Sequence, residues 1–128
     1  MYSIILIAHI IISIILTIVA CYIVVRSFIG LIKGLFFSNF LDFYIPVFAV
    51  VLLYLELVLG LLLYYMHMSK LEGFISQTNA NDYFSSRFWA IEHTILMIFA
   101  IIFGHLALVY SKNLSNNIAK YKMNLLYF

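Results

Sequence analysis

A chain of 128 residues that is 66% apolar and 9% charged, with a net charge of +2, has almost no polar surface to offer water. A soluble globular domain carries about 25% charged residues, so that class is excluded and the composition implies an integral membrane protein whose main partner is the lipid bilayer. The small net charge, with no basic patch interleaved with aromatics, excludes nucleic acid, and a single cysteine, Cys21, excludes an internal disulfide and any CxxC or CxxCH metal or haem motif.

The first apolar run has no Lys or Arg before it and exceeds the roughly 7–15 residues of a signal-peptide core, so it reads as a retained span. About 20 apolar residues cross a bilayer. Three stretches reach that length: 4–25, closed by Arg26; 43–66, with Pro46 in the first turn, where proline is tolerated; and 88–110. RSFIGLIKGLFFSNFLD, between the first two, predicts a short interfacial helix. Residues 67–87 form a polar loop. Residues 111–128 form a basic tail whose last five residues turn apolar, which suits either an interfacial anchor or the start of a shortened fourth helix. The expected fold is therefore one all-α integral membrane bundle over 1–128, with three transmembrane helices and a truncated fourth as the open alternative.

Basic residues near helix ends set orientation. Arg26, Lys33, Lys112, Lys120 and Lys122 flank one side, against Lys70 and Arg87 on the other. The first loop and the tail are expected to be cytoplasmic, the N-terminus and the 67–87 loop outside. In a bacterium this is the inner membrane.

Ionisable residues inside spans are costly and are functional-site candidates by default. At about 1.5 Å per residue, His9 lies roughly 7 Å below the outer end of the first span, and His93 lies at a similar depth in the third. Glu56 falls near the middle of the second, within about one helical turn of that level. His67 sits at the outer end and His105 nearer the cytoplasmic side. Helical spacing puts His9, Ser13, Thr17 and Cys21 on one stripe. It puts Ala49, Glu56, Gly60 and His67 on a second. Ala90, His93, Met97, Ala100, Gly104, Ala107 and Ser111 make a third face of mostly small residues, as membrane helix contacts prefer.

Two neutral imidazoles facing each other across a bundle suit the axial positions of a b-type haem, so His9 and His93 are the expected metal ligands. Glu56 is placed as an acceptor behind a ligand or as a proton-carrying group, and Tyr54 as a second tuning residue. The alternative is that these groups bond one another across helices and bind nothing. His105 is about 120° around the helix from His93 and reads as a packing or hydrogen-bonding residue. His67 reads as interfacial. Ser85 or Ser86 is expected to cap the third helix, with Arg87 and Glu92 serving its first turn.

The segment Arg87, Phe88, Trp89, Ala90, Glu92, His93, the stretch Leu57–Tyr65, the early His9 and the Ser111-Lys112 end together resemble a family of small Bacteroidota-type membrane proteins often labelled cytochrome b-like. The resemblance covers nearly the whole chain and implies a four-helix protein with haem. Two features depart from the family pattern. Tyr54 stands where that family often has a histidine, and the family's fourth helix is missing, the sequence stopping where it is expected to begin.

The leading expectation is one-electron transfer through haem b. A rival is a non-catalytic structural or accessory membrane subunit, and a third is a proton-conducting element on Glu56 and the histidines. No nucleophile–base pair supports hydrolysis, so an enzyme is not the expected class. Three spans enclose a haem thinly, and a homodimer or larger membrane complex is the expected remedy.

Overall fold

The structure is a computed structural model that describes residues 1–71 and 91–128. Every described element is helical. α1 spans Tyr2–Lys33, a π-helical turn spans Asn39–Tyr44, α2 spans Ile45–Leu71, α3 spans His93–Asn113 and α4 spans Asn117–Tyr127. Three helices are long and apolar enough to cross a membrane: α1, the π turn joined to α2 as Asn39–His67, and α3. The protein is an all-α membrane bundle.

α1 is longer than its apolar run. The expected interfacial helix after Arg26 is the continuation of α1, which stops only at Gly34. Gly34 adopts φ 61° and ψ 38°, a left-handed conformation that favours glycine, and Leu35 N–H donates back to Gly30 O at 3.2 Å. Gly30 does not break the helix, because its missing side chain is used in packing. A Cβ there would stand 2.6 Å from the Tyr121 ring.

The basic tail folds. Asn116 caps α4 by accepting from Ile118 N–H at 2.9 Å. α4 then runs back antiparallel along α3: Tyr127 stacks on Tyr110 at 5.8 Å and on Phe103 at 6.3 Å, and Phe128 reaches the level of Gly104. α2 lies between α1 and α3 on one side and α4 lies between them on the other, while α1 and α3 hardly approach each other directly.

Eleven residues of α4 rise about 16 Å, so this fourth helix covers only the half of the bundle nearest the basic residues. Burial follows that coverage. In α1 the buried residues are Ile23, Ser27 and Gly30, and no residue before Ile23 is buried. In α3 the buried residues are Ile101, Gly104, Ala107 and Ser111, the basic-end part of its small-residue face. Gly104 lets α2 come close, since a Cβ there would stand 2.8 Å from a Val50 methyl.

Candidate functional site

In the half without α4, three polar side chains from three helices converge. His9 Nδ1 lies against Glu56 Oε2. The His9 and His93 rings meet edge-to-face, with centroids 6.4 Å apart and planes at 86°. Glu56 is 2% exposed and His9 18%. Gly60 makes room, as the His9 ring lies 3.7 Å from where its Cβ would be. Each residue arrives for a local reason. Glu56 and Gly60 are four apart on α2, and antiparallel packing carries His9 of α1 to the same level.

His9 Nδ1 and Glu56 Oε2 are in close contact without an aligned hydrogen bond. Glu56 Oε1 has no hydrogen-bond partner among the described residues. With one proton shared between the two groups the pair is net neutral in either form, which limits its cost in hydrocarbon. Beside it lies a cavity of about 20 Å³ lined by Glu56, His93, Thr94 and Met97. That is room for a single water.

Tyr54 does not join this group. It is two residues from Glu56, about 200° around α2, and points the other way. Its hydroxyl lies 3.4 Å from His105 Nε2, with the rings edge-to-face at 5.7 Å. Tyr54, expected to tune the His9–His93 site, stands instead beside His105, which thereby has a partner of its own. Both residues of this second pair are exposed on the flank of the bundle. The α1 stripe also leaves the interior. A spacing of four drifts about 40° per step, so His9 and Ser13 are half-buried while Thr17 and Cys21 are exposed. Thr17 satisfies its hydroxyl locally, donating to Ser13 O at 2.8 Å. His67 is exposed at the end of α2, as expected. Trp89, Arg87, the capping serines and most of the 67–87 loop lie outside the described residues.

A second polar centre, at the basic end, is built on Asp42, a residue given no role in the sequence reading. Asp42 Oδ1 accepts from Arg26 Nε at 3.0 Å. Asp42 Oδ2 accepts from Tyr121 Oη at 2.8 Å, from Ser38 N–H at 2.7 Å and from Arg26 at 3.3 Å. The Asp42 carbonyl accepts from Asn124 Nδ2 at 3.0 Å, and Asn124 Oδ1 accepts from Ser111 Oγ at 2.5 Å. The Ser38 bond is the reach-back of a capping box, placed one residue later by the wide turn. Burial, then the bond to Asp42, pushes the Tyr121 phenol up to about 12. An acid in FLDFY, facing an arginine one loop earlier, was the available signal. The packing of α4 that completes it was not visible in local sequence.

No protein family, curated protein or solved structure matches this chain.

Among the described residues no three His, Cys, Asp or Glu side chains are placed to hold a bare metal ion. Two imidazoles suit a group that supplies its own equatorial ligands. A metal–imidazole bond is about 2 Å and each ring centre lies about 1 Å beyond its nitrogen, so two imidazoles on one ion have centres roughly 6 Å apart. The observed 6.4 Å fits that spacing. It also fits an ordinary edge-to-face contact, which spans about 4.5–7 Å. The separation is common to both arrangements, and the enclosed space beside the rings is water-sized.

Proposed function

We propose that the chain is a small b-type-haem protein of a bacterial cytoplasmic membrane that passes single electrons, with His9 and His93 as the residues that would hold the haem iron. The carrying observation is that two imidazoles from different helices meet at one depth, and one of them has a buried carboxylate on its other nitrogen. Metal-bound histidine usually gives its second ring N–H to a carboxylate or carbonyl, which fixes the tautomer and ring orientation. Glu56 stands in that relation to His9 and leaves Nε2 for a metal. Haem bound there would supply the one-electron couple, tuned by its axial ligands and by the low polarity around them. Glu56 lies against His9 Nδ1, Gly60 seats the His9 ring, and the apolar flanks of α1, α2 and α3 exclude water. Among the described residues no helix fills the flank between α1 and α3 at this level, and a second copy of the chain would close it. The distribution of basic residues supports an outside N-terminus and a cytoplasmic α4.

A second reading is a non-catalytic accessory subunit in which the same three side chains tie helices together for roughly 1 kcal/mol each. The edge-to-face ring contact and the water-sized cavity favour it. A dithionite-reduced minus oxidised visible spectrum of the detergent-purified protein, expressed with ample haem, decides between them. A sharp reduced band that is lost in His93→Ala supports ligation. A flat spectrum from folded protein removes the haem reading and leaves the accessory one.

A further inference from the structure

At the basic end a cavity of about 180 Å³ opens between the π turn, α3 and α4. Lys112 and Lys120 stand in its wall with Asn39, and the aromatic rings of Phe37, Phe43 and Tyr44 complete it. The geometry points to a binding site for the phosphodiester headgroup of an anionic glycerophospholipid. This does not depend on haem.

Three observations carry it. The first is charge. No carboxylate lines the cavity, and among the described residues neither lysine has an ion-pair partner. Asp42, the acid of this end, spends both oxygens on Arg26, Ser38 and Tyr121. Two ammonium groups therefore stand uncancelled around a space large enough for a headgroup.

The second is order. Lys120 is half-buried and its Nζ lies over the Phe37 ring, 5.0 Å from the centroid. A cation held against an aromatic face is oriented before any ligand arrives.

The third is position. The cavity lies where α3 ends and α4 begins, at the edge of the apolar spans, and Tyr44 is exposed beside it. Phosphate on the lysines would leave acyl chains running along the apolar flanks of α2 and α3. Basic pockets between helices at this interface suit anionic headgroups, whereas a free anion would gain nothing from the aromatic walls. Lysines that merely snorkel would stand on open surface. Here both line one concavity.

The test is native mass spectrometry of the full detergent-purified chain titrated with phosphatidylglycerol, and separately with phosphatidylcholine. Phosphatidylglycerol is expected to bind more tightly, and added salt is expected to erode that preference. Each lysine neutralised should weaken phosphatidylglycerol binding about fivefold, so Lys112→Gln with Lys120→Gln should lose about 25-fold, with phosphatidylcholine unaffected. Lys112 is exposed, so Lys112→Gln alone keeps the fold and should lose about fivefold. Lys120→Arg should bind as the native chain does. Equal binding of the two lipids, or a Lys112→Gln chain that binds phosphatidylglycerol unchanged, overturns the proposal. So does inorganic phosphate displacing the lipid at matching concentrations, which would make the ligand a free anion.

Discussion

At the basic end Asp42 accepts from Arg26, Ser38 and Tyr121, and four helices close around it. At the other end Glu56 meets His9 with one oxygen, its second has no partner among the described residues, and three of the described helices are present. Both carboxylates are almost fully buried, at 3% and 2% exposure. The first is surrounded by donors that serve folding: a cap, a helix-to-helix pin and a charge partner. The second is under-satisfied among the described residues, in apolar surroundings, which is what makes a buried ionisable group a functional-site candidate.

The largest expected effect breaks the satisfied end. Asp42→Ala leaves Arg26 and Ser38 N–H without their acceptor and the Tyr121 hydroxyl with only the Phe36 carbonyl. It should cost about 3–5 kcal/mol, as removal of one partner from a buried ion pair does, read as a shifted midpoint in SDS titration from mixed micelles. An unchanged midpoint would mean that the Asp42 network is decorative.

Gly30→Ala pushes a methyl into the Tyr121 ring and should cost about 1–3 kcal/mol by overpacking. Its signature is specific: lifting α4 breaks the bond of Tyr121 to Asp42, so the late-titrating Tyr121 phenol should be lost. A phenol that still titrates late would show that α4 is not seated against Gly30.

The pH dependence sharpens the same contrast. Tyr121 is neutral when it donates to Asp42, and its folded pKa is raised to about 12 from an ordinary 10. A group raised in this way contributes stability that is fully present below about pH 10 and lost as pH rises through about 12. Tyrosinate absorbance should therefore show one late-titrating phenol, absent in Tyr121→Phe. If all ten tyrosines ionise together, the buried bond to Asp42 is wrong.

The smallest stability effect is expected at the other end. Glu56→Gln keeps an interhelical polar contact with His9 and should change stability by about 1 kcal/mol or less. If the chain binds haem, the same change removes a carboxylate from behind a ligand and should shift the reduced spectrum or potential. A Glu56→Gln midpoint shift as large as that of Asp42→Ala would reverse the ranking of the two ends.

Much of the histidine end was legible in the sequence. Depth at a fixed rise per residue and faces at helical spacing were enough to bring His9, Glu56 and His93 together, because straight antiparallel helices preserve both. Tyr54 was misplaced for want of the same arithmetic, since two residues along a helix is the opposite side. The basic loop and tail were less legible. RSFIGLIK continues α1 because Gly30 is occupied by a ring from a helix 91 residues further on at Tyr121. A glycine that admits a distant side chain looks, in sequence, like a glycine that breaks a helix.

The sequence by itself determined that this is a membrane protein, since no other environment solvates so apolar a chain. It also determined where three spans lie and which ionisable groups share a depth, because the bilayer and the helix impose regular lengths and periods. Only the tertiary structure decided that the tail is a half-length fourth helix, that Asp42 is the hub which holds it, and that Lys112 and Lys120 stand around one cavity. Those outcomes depend on how the end of the chain folds back onto α1 and α3, a long-range contact that no local pattern of residues encodes.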